Sequence, residues 1–219
     1  SIMSSENVFG DLYEDKPKQQ PASTEDVFGD LSEDPGSTFE TRYDPKMDGF
    51  YKIDVPSDLK ISQPTAYNVI TSHVGMRGGK MHEGIDIRAR EGTPIMAFQP
   101  GIVTKVVRTF TENKGPGKYV VIENPETGEQ HKYFHLSSIG DDLKVGSQIK
   151  AGQTFGTAGN TGGSHGAHLH FEIHQQDDSG EYQPVDPLEA YPEHFGSYID
   201  KKTGEPVNIN KVLETNLSM

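Results

Sequence analysis

Beyond about residue 50 the chain carries short runs of apolar residues, mostly β-branched or aromatic, separated by glycine, proline and polar residues. Runs of this length and composition are typical of strands, and they show no 3.6-residue period of an amphipathic helix. The sequence therefore predicts an all-β domain, an antiparallel two-sheet sandwich or barrel-like structure. The predicted strands include residues 85–87, 94–98, 102–107, 119–123, 131–135, 148–149, 154–156 and 168–174.

The run from residue 168 to 173 alternates between polar and apolar positions. Side chains alternate between the two faces of a strand, so one face is predicted to hold polar chemistry and the other to pack in the core. Same-face neighbours are separated by roughly 6.6 Å of rise, which is close enough for two imidazoles to serve one small site. The core face carries Leu169, Phe171 and Ile173, and the polar face carries His168, His170 and Glu172.

The first 48 residues have a different pattern. They are rich in acidic residues, serine, proline and glutamine, and they predict a disordered or extended arm. Two copies of Val-Phe-Gly-Asp-Leu, at Val8–Leu12 and Val27–Leu31, make a repeat within it. The repeat is interpreted either as a duplicated linker or as a pair of docking motifs that order on a protein partner. We therefore divide the chain into an arm (1–48), a domain (49–195) and a polar C-terminal tail (196–219).

Charge and composition exclude several classes of function. The whole chain has a net charge of −13, and most of it lies in residues 1–58, which carry 14 acidic and 5 basic side chains. This acidic stretch repels phosphates, so we expect no nucleic-acid partner. Cysteine is absent, which excludes disulfides and thiolate metal ligands. The sequence shows no apolar run long enough for a membrane span and no apolar core of a signal peptide, although secretion with a cleaved signal stays open.

A second group of metal-ligand residues lies at His82-Glu83-Gly84-Ile85-Asp86. On a straight strand His82 and Asp86 would share a face about 13 Å apart, near the limit for binding one ion. A bend at Gly84 would shorten that span. Taken alone, this spacing of His82 and Asp86 favours a surface histidine near a hydrogen-bonded aspartate over a metal site. Together with the two histidines of the 168–173 run they suggest a metal centre, with zinc as the first interpretation.

Several segments, which follow one another along the chain in the family's order, resemble the lysostaphin/LytM-type zinc endopeptidases of peptidoglycan. The resemblance covers about residues 60–190 and departs from the family pattern at His73, where an aromatic residue is commoner, and at Ala167, where proline is usual. The matching segments are residues 71–77, 82–86, 92–97, 101–103, 133–136, 159–164, 168–172 and 185–187.

The resemblance implies specific roles for five residues. It implies one Zn²⁺ per chain, bound by His82, Asp86 and His170. It also implies that His135 and His168 are catalytic histidines that do not bind the metal. Three protein ligands leave the fourth position of zinc open, as in catalytic sites. For substrate binding we predict Tyr133, which should share a strand face with His135, and Asn160, which lies in a glycine-rich loop.

The function implied by the resemblance is hydrolysis of peptide bonds in peptidoglycan stems or cross-bridges. The enzyme is expected to be extracellular, periplasmic or associated with a virion. Two alternatives stay open. One is a non-catalytic member of the same fold that regulates other wall hydrolases. The other is a structural component of a phage particle, docked through its N-terminal arm.

Overall fold

The structure is a computed structural model that describes residues 39–44, 49–54 and 58–207. The first two ranges are described only as backbone strands. The repeat motifs Val8–Leu12 and Val27–Leu31 and the end of the C-terminal tail lie outside the described residues. The strands are β1 (Phe39–Asp44), β2 (Gly49–Asp54), β3 (Val69–Ser72), β4 (Gly75–Arg77), β5 (Lys80–His82), β6 (Ile85–Arg88), β7 (Pro94–Met96), β8 (Gly101–Val107), β9 (Lys118–Asn124), β10 (Glu129–Ile139), β11 (Gln148–Ile149), β12 (Thr154–Ala158), β13 (His168–Gln176), β14 (Tyr182–Val185) and β15 (Ile199–Asp200); the helices are α1 (Pro187–Ala190) and α2 (Pro192–Phe195).

Eleven strands form one branched sheet in the order β11-β8-β9-β10-β13-β6-β3-β15. Strand β12 pairs with β10 and β7, and β14 pairs with β13. All of these pairings are antiparallel except that of β15 with β3. The all-β prediction is confirmed. Strand β10 pairs with β9, β13 and β12, and its pairing with β12 is irregular at residues 136–138, where a strand can bend.

A hydrophobic core supports the middle of this sheet. It contains the predicted core face of β13, whose Leu169, Phe171 and Ile173 are fully buried. Phe98, which follows β7, makes an edge contact with the Phe171 ring at 5.3 Å between centroids. Side chains from both branches thus hold β13 from its apolar side, leaving the opposite side for the polar residues.

The packed domain extends beyond the boundary at 195 that the sequence suggests. Strand β15 runs parallel to β3, and the side chains of Tyr198 and Val207 are buried. The surrounding segment is polar, so apolar periodicity carries little signal there. At the other end, β1 pairs with β2 across the predicted boundary at 48. The short helix α1 begins after Asp186, whose side chain accepts a hydrogen bond from Leu188 N.

Within the part of the chain that the structure describes, the helices are too short to cross a membrane.

Candidate metal centre and active site

The pairing of β6 with β13 brings the two groups of metal-ligand residues together. In this register Asp86 lies directly opposite His170. His82 ends β5, and the chain bends at Gly84 before β6 begins. A Cβ atom added to Gly84 would lie 2.3 Å from Phe171 O, so only glycine lets the bend approach β13 this closely. The bend predicted at Gly84 places His82 beside Asp86, close enough for both side chains to contribute to one site.

Three imidazoles converge on one oxygen of Asp86. The Oδ1 atom lies 2.9 Å from His170 Nδ1, 3.2 Å from His82 Nε2 and 3.4 Å from His168 Nε2. Two atoms that bind a tetrahedral zinc ion at about 2.1 Å lie about 3.4 Å apart, which is close to these separations. The ligand atoms of His82, Asp86 and His170 all lie within 4.8 Å of one another. These three side chains therefore fit a metal ion.

Hydrogen bonds orient both histidines of this cluster. His82 Nδ1 lies 2.8 Å from the carbonyl oxygen of His73, so it donates there and turns Nε2 towards Asp86. His170 Nε2 lies 3.5 Å from Glu172 Oε1, and its Nδ1 faces Asp86. Glu172 is only 3% exposed. A carboxylate or carbonyl behind a histidine fixes the ring and the tautomer that a metal needs.

The pKa values show how strongly these groups interact. Burial alone would raise the pKa of Asp86, but hydrogen bonds from His168, His170 and His82 lower it far below the usual range of a carboxyl. Burial would lower the pKa of His170, yet hydrogen bonds with Asp86 and Glu172 raise it to about 9. Glu172, also buried, has a pKa lowered to about 2 by its histidine neighbours. At neutral pH Asp86 and Glu172 are therefore ionised, and their negative charge favours a cation in the cluster.

His135 reaches the site through an irregularity in β10. The pairing of β10 with β9 shifts register between Tyr133 and Leu136, and His135 has a left-handed backbone with φ of 63°. Its ring centroid lies 5.1 Å from that of His168 and 5.9 Å from that of His170. His135 Nδ1 donates to Thr161 O at 2.7 Å. Burial lowers the pKa of His135 to about 4, so the ring is uncharged at neutral pH.

Tyr133 does not share the face of His135, which corrects the prediction. Its side chain is fully buried, and its hydroxyl accepts a hydrogen bond from Phe98 N at 2.9 Å. Burial raises its pKa above that of an ordinary phenol. Phe134 lies on the site face instead and stacks on the His170 ring at 5.1 Å. The positive φ at His135 breaks the period of two on which the prediction depended.

His168 and Asn160 are connected through the loop between them. His168 Nδ1 lies 2.8 Å from Gly166 O, which directs Nε2 towards Asp86. The backbone N of Gly166 donates to Asn160 Oδ1 at 2.8 Å. The Asn160 side chain is exposed and organises the loop that holds His168. Whether it also contacts substrate stays a prediction.

Two glycine-containing loops, residues 115–117 and 160–166, meet beside His135. Gly163 N donates to Gly115 O at 2.8 Å, and His135 N donates to Pro116 O at 2.8 Å. A cavity of about 330 Å³ has residues 114–117, Phe110 and Tyr119 among its lining. The loops thus form a wall next to the histidine cluster.

Sequence reasoning missed one support of the site. His73, which the sequence analysis assigns no role in the site, provides the carbonyl oxygen that orients His82. Its own Nε2 lies 3.0 Å from Oδ2 of Asp200, the last residue of β15, in the segment assigned to the tail. A backbone carbonyl leaves no mark in the residue pattern. Only the departure at His73 from the family pattern drew attention to this position.

Comparison with known proteins identifies the family. Residues 80–187 match the model of peptidase family M23. The matched range contains the His82, Asp86 and His170 cluster together with His135 and His168. The chain belongs to peptidase family M23.

Individual relatives agree with this assignment. Lysostaphin from Staphylococcus simulans is 41% identical over 100 residues, which are 45% of this chain and 19% of that protein. The DD-carboxypeptidase/endopeptidase Mpg from Neisseria meningitidis serogroup B is 30% identical over 140 residues, 64% of this chain and 29% of that protein. The chain thus spans less than a third of the length of either relative.

One solved structure of an M23 protein is also similar in sequence to part of this chain. The catalytic domain of the prophage-encoded M23 protein EnpA from Enterococcus faecalis is 33% identical. The match covers 57% of this chain and 92% of that chain, with a TM-score of 0.46.

Proposed function

We propose that this chain is a zinc-dependent endopeptidase that hydrolyses peptide bonds in peptidoglycan stems or cross-bridges. One observation carries the proposal: the cluster of His82, Asp86 and His170 lies directly beside two further histidines, His135 and His168. Membership of a peptidase family supports it. Two relatives also support it: the glycyl-glycine endopeptidase ALE-1 from Staphylococcus capitis and the DD-carboxypeptidase/endopeptidase Mpg.

The proposed metal ligands are His82 Nε2, one oxygen of Asp86 and His170 Nδ1. Imidazole and carboxylate donors in this number suit zinc. When bound, zinc supplies a Lewis acid that polarises the scissile carbonyl and acidifies a water molecule. Glu172 and the carbonyl of His73 keep the two imidazoles in the orientation that such binding needs.

His135 and His168 would handle the protons of the reaction. Each ring is held through Nδ1, by Thr161 O and by Gly166 O respectively, which leaves Nε2 for chemistry. We propose that the pair takes a proton from the attacking water and returns one to the leaving amine. Either ring in its protonated form can also donate a hydrogen bond to the developing oxyanion.

The wall formed by residues 115–117 and 160–166 lies next to this pair, and we propose that it borders the substrate groove. Small glycine residues leave room for a narrow, flexible peptide to approach the histidines. Retention of all five side chains favours a catalyst over a non-catalytic regulator of wall hydrolases, because a regulator needs neither an open metal position nor a proton-handling pair.

The decisive experiment is digestion of purified peptidoglycan from two wall types, one with glycine cross-bridges and one with direct cross-links. Mass spectrometry should detect new peptide ends in at least one of them. A chelator should stop the reaction, and added zinc should restore it. The His168→Ala variant is the matched control without hydrolysis. Unchanged fragments in both walls, with zinc bound to the protein, would refute the proposed activity.

We further propose that residues 1–48 dock the enzyme on a partner protein in a virion or secretion assembly. The duplicated Val-Phe-Gly-Asp-Leu motif supports this, since two copies raise avidity without new contacts. Deleting residues 1–38 should preserve the rate of peptide hydrolysis and abolish binding to the assembly, as measured by co-sedimentation. A large loss of hydrolysis would show instead that the arm contributes to enzyme activity.

A further inference from the structure

A second cluster of ligand-type side chains adjoins the first. Glu83, Glu172 and His174 place one oxygen or nitrogen atom each within 4.8 Å of the others. Glu172 and His174 are only 3% and 6% exposed, whereas Glu83 is exposed. None of the three is a proposed ligand of the first metal ion.

We propose that Glu83, Glu172 and His174 form a second divalent-cation site. One imidazole and two carboxylates are donors that Zn²⁺ and similar borderline cations accept. The exposed Glu83 leaves the site accessible to an incoming ion. This proposal does not depend on the hydrolytic activity proposed above.

The backbone holds the two halves of the cluster together. Glu172 and His174 are two residues apart on β13, and His174 Nε2 lies 3.5 Å from Glu172 Oε2. Glu83 is delivered by the bend at Gly84, where an added Cβ would lie 2.7 Å from Glu172 Cγ. The close approach of this bend to β13 therefore fixes where the Glu83 side chain begins.

Glu172 can serve both clusters with different oxygens. Its Oε1 faces His170 Nε2, and its Oε2 faces His174 Nε2, each at 3.5 Å. An ion bound through Oε2 would leave the orienting contact to His170 in place. It would also offset the repulsion between the carboxylates of Glu172 and Glu83, which is stronger near a buried group than in water.

The test is a zinc titration by equilibrium dialysis of the full chain, with bound metal counted by mass spectrometry. We expect two ions per wild-type chain. Glu83→Gln keeps the shape of the side chain and should weaken binding of the second ion by more than about tenfold. Loss of even an outer-shell group typically lowers metal affinity by about 10–100-fold. Glu91→Gln, an exposed glutamate outside the cluster, is the matched control and should keep two ions.

A further variant separates the two sites. Asp86→Ala should lose the first ion and keep the one that depends on Glu83. All variants retain the acidic N-terminal residues, so weak binding there is the same in each titration. A single ion in the wild-type chain that Glu83→Gln binds equally well, or two ions bound with unchanged affinity in Glu83→Gln, would overturn the second site. Absence of hydrolysis with two ions bound would overturn only the proposed enzyme activity.

Discussion

Strands β13 and β10 deliver histidines to the same site in opposite ways. Along β13 the period of two is regular, so His168 and His170 face the site while their neighbours fill the core. Along β10 the period breaks at His135, which has φ of 63°. Without that break the His135 side chain would follow Tyr133 into the core. A regular strand supplies two groups at no conformational cost, whereas placing a third from the adjacent strand takes a local irregularity.

The largest expected effect falls on the regular strand. His170→Ala should abolish hydrolysis and remove the ion bound by His82, Asp86 and His170, because that site has only three protein ligands. Metal analysis after dialysis and a peptide-release assay test this. The matched change on the irregular strand is His135→Ala, which should keep zinc. Full metal content in His170→Ala would contradict the ligand assignment.

The next effect concerns the two histidines that the proposal assigns to proton transfer. His135→Ala and His168→Ala should each lower the rate constant by about 10²–10⁴-fold with zinc still bound, as expected for loss of general acid–base catalysis. Rates measured at saturating substrate, alongside metal content, test the prediction. A rate equal to that of the wild type in either variant would remove that histidine from the mechanism.

Tyr133 tests whether the face assignment from the structure is correct. Tyr133→Phe should destabilise the domain by about 1–3 kcal/mol, because the buried Phe98 N loses its acceptor. The rate of hydrolysis by the folded variant should not change. Chemical denaturation and the peptide-release assay measure the two quantities. A large loss of rate without a change in stability would support the original prediction that Tyr133 binds substrate.

The smallest effect concerns the strain at His135 itself. A left-handed conformation costs a residue with a Cβ about 1–2 kcal/mol that glycine does not pay. His135→Gly should therefore be more stable than His135→Ala by about 1 kcal/mol. Both variants lack the imidazole, so the comparison isolates the backbone. Equal free energies of unfolding would show that the irregularity of β10 stores no such strain.

The same contrast explains how far the sequence could predict this site. The face pattern of β13, the bend at Gly84 and the convergence of His82, Asp86 and His170 followed from residue spacing together with the family resemblance. The placement of Tyr133 was wrong because period-two reasoning assumes an unbroken strand. The support of His82 by the His73 carbonyl was not predictable, since a backbone atom is present at every position.

The sequence by itself determined the all-β class and the side chains available for metal and proton chemistry, because periodicity and residue type are local properties. The roles of the five histidine and aspartate residues stay predictions that the variants above test. Tertiary structure alone decided how β6 aligns with β13, how β10 turns His135 towards His168, and how residues 196–207 complete the domain. Those outcomes depend on register, on a positive φ and on long-range packing, which arise only when distant segments meet.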